Sequence, residues 1–185
     1  MLARLLSCFL LGLGLVLPAQ AADKPLVFDS AQSHVNVAVH ATVDSFTGQL
    51  THFDPIVTVD DAGKVTTARL AFHFRDLETG KAKRNDAMHK WQQSDTFPDG
   101  TFVLSSLEPA GTDAFSATGQ LTLHGVTREV RFPLTIARQG SVYVIDGDAP
   151  LDTRNFGLPI IRMFAVLKVD PVVRVQFHLQ GQPQS

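Results

Sequence analysis

Cysteine is almost absent from this 185-residue chain: Cys8 is the only one. It lies early in an apolar N-terminal run, most of which follows it, so it is not placed for lipid acylation at the end of such a run. The rest of the chain has no thiol, which excludes disulfides, thiolate metal ligands and a cysteine nucleophile. Tryptophan and tyrosine occur once each. A basic excess is missing too: 16 Lys and Arg stand against 18 Asp and Glu. That balance argues against a nucleic-acid partner and leaves no polybasic segment for anionic lipid. No G-x-S-x-G elbow, no phosphate-cradling Gly-rich loop and no zinc-type histidine spacing occurs. Asp60-Asp61 sits in a turn signal, where Asp is a favoured turn residue. The longest apolar run, Leu5 to Leu17, is nearer 13 residues than the roughly 20 of a membrane-spanning helix.

That run instead fits an export leader. Met1 to Arg4 is a short n-region, Leu5 to Leu17 an h-region, and Pro18-Ala19-Gln20-Ala21 ends in an A-x-A cleavage site. Residues 1–21 are therefore expected to be a signal peptide and residues 22–185 one domain, periplasmic or secreted, with no stable membrane insertion. Losing Arg4 moves the formal net charge from −2 to −3.

What is abundant is phenylalanine. Thirteen occur, all but Phe9 beyond the leader. Phe adds apolar area without a polar tip that must find a partner. Such a surplus suits a solid core and suits equally the wall of a cavity that holds hydrocarbon.

Alternation with period two dominates the rest. Val35, Val37 and Val39 share one face, with His34, Asn36 and His40 on the other. Leu70, Phe72 and Phe74 repeat the pattern, as do Phe102 and Leu104. Phe115, Ala117, Gly119, Leu121 and Leu123 oppose Ser116, Thr118, Gln120 and Thr122. Val130, Phe132, Leu134 and Ile136 oppose Glu129, Arg131 and Thr135. Val173, Val175, Phe177 and Leu179 close the series. Antiparallel strands with one apolar and one wet face read this way.

Turn residues separate these runs: Asp60 to Lys64, Glu108 to Asp113, His124-Gly125 and Gln139-Gly140. Gly48 and Gly119 fall inside strand patterns, where Gly often marks a bulge or a bend. Short strands at this spacing predict an all-β barrel or sandwich, and closure into a barrel removes exposed edges. One segment breaks the rhythm. Leu77 to Thr96 is long and polar for a hairpin loop, and Asn85 to Gln93 predicts about two helical turns, with Met88 and Trp91 on one side and Phe97-Pro98 ending it. Such a loop beside a barrel can cover its mouth or merely seal the core.

Taken in order, several motifs carry a resemblance. Asp29, Ser33, Val35 and Val39 are followed by Phe46, Gly48 and Phe53. Thr79, Arg84, Met88, Trp91 and Phe97-Pro98 come next. Then come Leu121-Thr122-Leu123-His124-Gly125-Val126-Thr127 and Leu151-Asp152-Thr153-Arg154-Asn155-Phe156-Gly157, with Val169, Val173 and Val175 last. Over nearly the whole exported part the chain resembles the YceI-like family. The family pattern departs at Gln32, at His40-Ala41 and at Arg84-Asn85-Asp86-Ala87, so no family role that rests on histidines at those places transfers to this chain.

The resemblance implies an all-β, lipocalin-like antiparallel β-barrel of about eight strands with a short helix in a long loop. It also implies a pocket for a long-chain isoprenoid or quinone-like lipid. The walls expected to line it are Val35, Val37, Val39, Phe72, Phe74, Phe102, Phe115, Leu121, Phe132, Val175 and Phe177. From alternation alone these residues equally fill a dry core. Arg84, Arg154 and Arg162 lie in long loops and are candidates to meet a polar head group, though a solvated surface is the ordinary place for an arginine. His34 and His40 share a strand parity, but six residues of strand separate them by roughly 20 Å, too far to share an ion, and no metal or other cofactor is expected. The resulting reading is a non-enzymatic carrier, monomeric or homodimeric. A cell-envelope pocket enzyme acting on a lipid-linked substrate, and a scaffold protein with a filled barrel, stand as alternatives.

Overall fold

The computed structural model describes residues 23–42, 44–163 and 167–184. The expected signal peptide lies outside the described residues. The strands are β1 (Lys24–Phe28), β2 (His34–Val39), β3 (Phe46–Leu50), β4 (Asp54–Val59), β5 (Val65–His73), β6 (Leu77–Glu78), β7 (Asp99–Pro109), β8 (Ala114–Leu123), β9 (Val126–Gln139), β10 (Val142–Asp152), β11 (Arg162–Met163), β12 (Leu167–Lys168) and β13 (Val172–Pro183), with one helix, α1 (Ala82–Gln92), between β6 and β7.

Eight of these strands close an antiparallel barrel in the order β1-β4-β5-β7-β8-β9-β10-β13, and β13 returns to β1 through Leu26↔Pro183, Val27↔Gln182 and Phe28↔Gly181. β13 is long enough to serve two partners. Its C-terminal end pairs with β1, while Arg174 to His178 pair with Ala38 to His34 of β2. β1 and β2 thus lie end to end along β13, joined by a turn in which the Asp29 N–H donates to the Gln180 carbonyl at 2.8 Å. β3 and the two-residue β6 extend the sheet beside β2.

The predicted turns form where their residues allow a left-handed backbone. His124 and Gly125 take φ of 48° and 71°, the pair of positive values a two-residue hairpin turn requires. Of the two glycines inside strands, Gly119 marks a bulge as expected and Gly48 does not. Register runs unbroken through Gly48, whereas β7 is irregular between Leu104 and Ser106, directly opposite Gly119 and Thr118, and a further irregularity falls at Thr58/Val59. A Cβ at Gly119 would stand 2.4 Å from the Phe102 ring, and one at Gly48 would stand 3.0 Å from Leu77 Cδ1. These glycines make room for a neighbour's side chain. Gly100 and Gly147 do the same beneath Phe72 and Phe177, with 2.2 Å to each ring.

The helix is longer and earlier than the sequence predicts. It begins after Lys81, which gives no side-chain cap, and ends at Gln93 in the left-handed region (φ 57°, ψ 48°), ahead of Phe97-Pro98. The Ser94 N–H donates to the His89 carbonyl at 3.0 Å, a bond of the kind that closes a helix C-terminus. Asn85, buried in the first turns, accepts from the Thr79 N–H and hydroxyl at 3.0 and 2.6 Å and donates to Glu78. That side chain anchors α1 to the end of β6. No helix among the described residues is long and apolar enough to cross a membrane.

Candidate functional site

The inward faces of the barrel do not meet. They form two apolar clusters, one around Leu26, Val59, Tyr143 and Ile145, the other around Val35, Leu50, Leu151 and Phe156, with Phe53 and Phe177 touching both. Between and beyond them runs a cavity of about 910 Å³, near the top of the range for small-molecule pockets. One end is closed. Tyr143 there is 1% exposed, its hydroxyl donates to the Gly63 carbonyl at 3.1 Å, and the Arg138 guanidinium lies 5.5 Å over its ring.

Ten of the eleven expected wall residues border this cavity: Val35, Val37, Val39, Phe72, Phe74, Phe102, Leu121, Phe132, Val175 and Phe177. Phe115 is the correction. It shares the inward side of β8, but it lies at the strand's start beside the 110–113 loop, past Ala117, the last cavity-lining rung of that strand. Phe74 borders the cavity from a short 3₁₀ turn rather than from a strand. Phe132 forms the middle of an aromatic row, 5.5 Å from Phe102 and 5.9 Å edge-on from Phe177.

At the other end the loop elements supply the rim. Met88 and Trp91 of α1 both border the cavity. The indole N–H of Trp91 donates to the Pro159 carbonyl at 2.8 Å, tying the helix to the 157–161 loop. Of the three arginines expected near a head group, Arg84 and Arg162 border the cavity and Arg154 does not. Arg84 is already engaged: its guanidinium bonds Asp44 at 2.8 Å and lies 4.1 Å over the Phe46 ring. Arg154 is clamped to Asp152 through contacts of 2.9 and 3.1 Å from Nε. The bonds from Arg154 hold the Asp152 carboxyl below the ordinary carboxylate range. Arg162 lies on β11, which pairs with β12 in a two-stranded sheet separate from the barrel.

Many bordering residues were not anticipated, among them the charged side chains of Asp44, Arg69, Arg128, Glu129, Arg131, Asp152 and Asp170. Arg128 pairs across the sheet with Leu121, an inward residue, and so faces the lumen side between Val126 and Val130. Its sequence parity with Val130, Phe132 and Leu134 is the signal that identifies it. Among the described residues no group of three or more His, Cys, Asp or Glu side chains is arranged to hold a metal.

The fold and its lumen define a class: a closed eight-stranded antiparallel barrel, with a helix at its rim, enclosing a deep apolar cavity. The profile of the YceI-like domain matches residues 26–181, and the chain belongs to that family. It is similar to the crystal structure of Burkholderia cenocepacia BcnA, with a TM-score of 0.74 and 26% identity over 83% of this chain and 99% of that one. A polyisoprenoid binding domain from Saccharophagus degradans, implicated in plant cell wall breakdown, matches at 0.65 and 15% identity over 88% and 100%. The Campylobacter jejuni YceI protein matches at 0.67 and 12% over 79% and 90%. The last two likenesses bear on the fold alone. No curated protein matches the chain.

Proposed function

We propose that the protein is a non-enzymatic carrier, exported to the periplasm or secreted, that holds one long isoprenoid chain, of the quinone-tail or polyprenyl type, inside its barrel. The observation that carries this reading is the cavity itself, about 910 Å³ with walls of Val, Leu, Ile and Phe. A space of that size has little to offer water and much to offer hydrocarbon. Each buried CH₂ contributes about 0.8 kcal/mol, so a few isoprene units outweigh the cost of ordering the chain. A long flexible chain suits the space better than a compact multi-ring ligand because the lumen is deep and closed at Tyr143. The Saccharophagus degradans domain that shares this fold is itself described as polyisoprenoid binding. Binding of this kind needs no cofactor and no reacting group.

Native mass spectrometry of protein purified from its own cell envelope tests the reading. A bound species whose mass and fragments are isoprenoid is the expected result. Protein that is always empty, and that takes up no polyprenol from detergent micelles, would leave only the scaffold alternative.

A further inference from the structure

A second, smaller sheet stands at the open end of the barrel. β11 and β12 form it through Arg162↔Lys168 and Met163↔Leu167. It is fastened to the end of β2. The Thr42 N–H and hydroxyl each donate to the Lys168 carbonyl at 3.0 Å, the Asp170 N–H donates to the His40 carbonyl at 2.8 Å, and Ala41 bridges Val169. Ile160, Ile161, Arg162 and Val169 border the cavity, so the hairpin forms part of its mouth.

Two features single this hairpin out. The first is its charge. Arg162 and Lys168 are exposed and directly opposite each other. Side chains so placed stand about 4.5–5.5 Å apart at Cβ, where like charges repel. Among the described strand pairings this is the one place where two Lys or Arg residues are partners. Arg69 and Arg128 are also free of ion pairs, but they lie opposite Ile56, Val103 and Leu121. Nearby acids do not relieve the repulsion: Asp44 is taken by Lys81 and Arg84, Asp152 by Arg154, and Asp170 accepts from the Val172 N–H at 2.9 Å. The second feature is sequence. Past this pair the chain reads Met163-Phe164-Ala165-Val166-Leu167. It has no charge, no hydroxyl or amide, and none of the Gly, Pro, Asn, Asp or Ser residues that serve water-facing turns. A basic pair followed by apolar residues matches the layering of a bilayer surface, with anionic phosphate outside hydrocarbon.

We propose that the β11–β12 hairpin is the contact by which the open end settles on an anionic phospholipid bilayer, with Arg162 and Lys168 meeting its phosphates. Its purpose rests on the carrier reading above, since a lipid too apolar for water enters and leaves the lumen through a membrane. Two cations and a short apolar stretch support a reversible contact rather than a stable insertion. A soluble acidic partner would answer the charges but not the apolar sequence beside them.

The test floats the protein with phosphatidylcholine vesicles, with and without phosphatidylglycerol. The unaltered protein should bind the anionic vesicles about tenfold more tightly than the neutral ones, the scale expected for two cations at a charged surface. Salt should reduce the difference. Arg162→Gln/Lys168→Gln should abolish it. Lys24→Gln/Lys64→Gln removes the same charge from the closed end and should leave it intact. Lys168→Gln alone should slow polyprenol transfer from the protein to anionic vesicles, with uptake from neutral detergent micelles unchanged. Equal binding to both vesicle types, a preference that survives loss of Arg162 and Lys168, or an equal fall in the closed-end variant would overturn the docking surface and leave the carrier reading standing. Polyaspartate that binds as tightly as anionic vesicles would assign the pair to an acidic protein instead. A preference lost only in the hairpin variant, in a protein that takes up no polyprenol, would keep the docking surface and remove the carrier reading.

Discussion

At the scale of single residues, the outer wall is held by cross-strand polar pairs. Asp148 accepts from Arg174 at 3.0 and 2.8 Å and from Gln176 at 3.1 Å. Next along the same strands, His178 meets Asp146 at 2.7 Å and stacks on His34 at 5.3 Å. The bonds from Arg174 hold the Asp148 carboxyl below its ordinary range, as those from Arg154 do for Asp152. A carboxyl that resists protonation in the folded state stabilises it above the unfolded pKa of about 3.9. That contribution fades as pH falls from there toward the depressed folded values. Urea midpoints at pH 7 and pH 3 should therefore differ more for the unaltered protein than for the Asp148→Asn/Asp152→Asn double variant. Equal differences would mean that these exposed pairs do not link to folding. Inside the wall, the aromatic rings over glycine set a second expectation. A Cβ at Gly147 would meet the Phe177 ring at 2.2 Å, so Gly147→Ala should cost about 1–3 kcal/mol as overpacking does, measured by urea denaturation.

At the scale of elements, α1 is the piece least secured by its own sequence. It has 11 residues, no side-chain cap at Lys81 and no acid in its first turn, and isolated helices shorter than about 12–15 residues are marginal. Tertiary contacts hold it: Asn85 to β6, Met88 against the apolar cluster around Val35 and Phe156, and Trp91 to Pro159. The sequence showed the helix and its apolar side through Met88 and Trp91. Its ends were illegible because neither is marked by the usual residues: Lys81 is a poor N-cap, and Gln93 adopts a left-handed backbone that favours glycine. An element held from one side only should open more readily than a strand bonded on both. Amide exchange should be faster in Ala82–Gln92 than in β8, and bound lipid should slow it by covering Met88 and Trp91. Trp91→Ala should quicken lipid release measured by transfer to acceptor vesicles. Exchange unchanged by lipid, together with unchanged release, would make α1 a fixed seal.

At the scale of the whole molecule, the barrel was legible wherever a strand carried its own apolar face, as β2, β8, β9 and β13 do. β10 was not, because its inward positions include Gly147 and Ala149, and Phe177 of β13 occupies the space that Gly147 leaves. Its alternation is completed by a residue thirty positions away, which no window along the chain can show. Nor could alternation separate a filled barrel from a hollow one, since both need the same inward faces. The energetic difference is measurable. Leu26, 6% exposed in a packed cluster and not bordering the cavity, should cost the full core penalty of about 2–5 kcal/mol when cut to Ala. Phe132 borders the cavity, so Phe132→Ala should cost clearly less in the absence of lipid than the about 3–5 kcal/mol of a Phe in a solid core. Comparable losses at both sites would argue for a solid interior. Filling the lumen gives the complementary outcome, and the structure decides where. Gly119→Leu is unsuitable, because even its Cβ would strike the Phe102 ring and the Val103 carbonyl at 2.4 and 2.5 Å. Ala117 borders the cavity on β8, with Leu107 and Phe132 as its cross-strand partners. Ala117 is fully enclosed, so the ring of Ala117→Phe displaces its neighbours into the lumen; the variant should keep the barrel's circular dichroism and a cooperative thermal transition while abolishing lipid retention through purification. A folded Ala117→Phe protein that still carried a full complement of lipid would place the ligand somewhere other than this lumen.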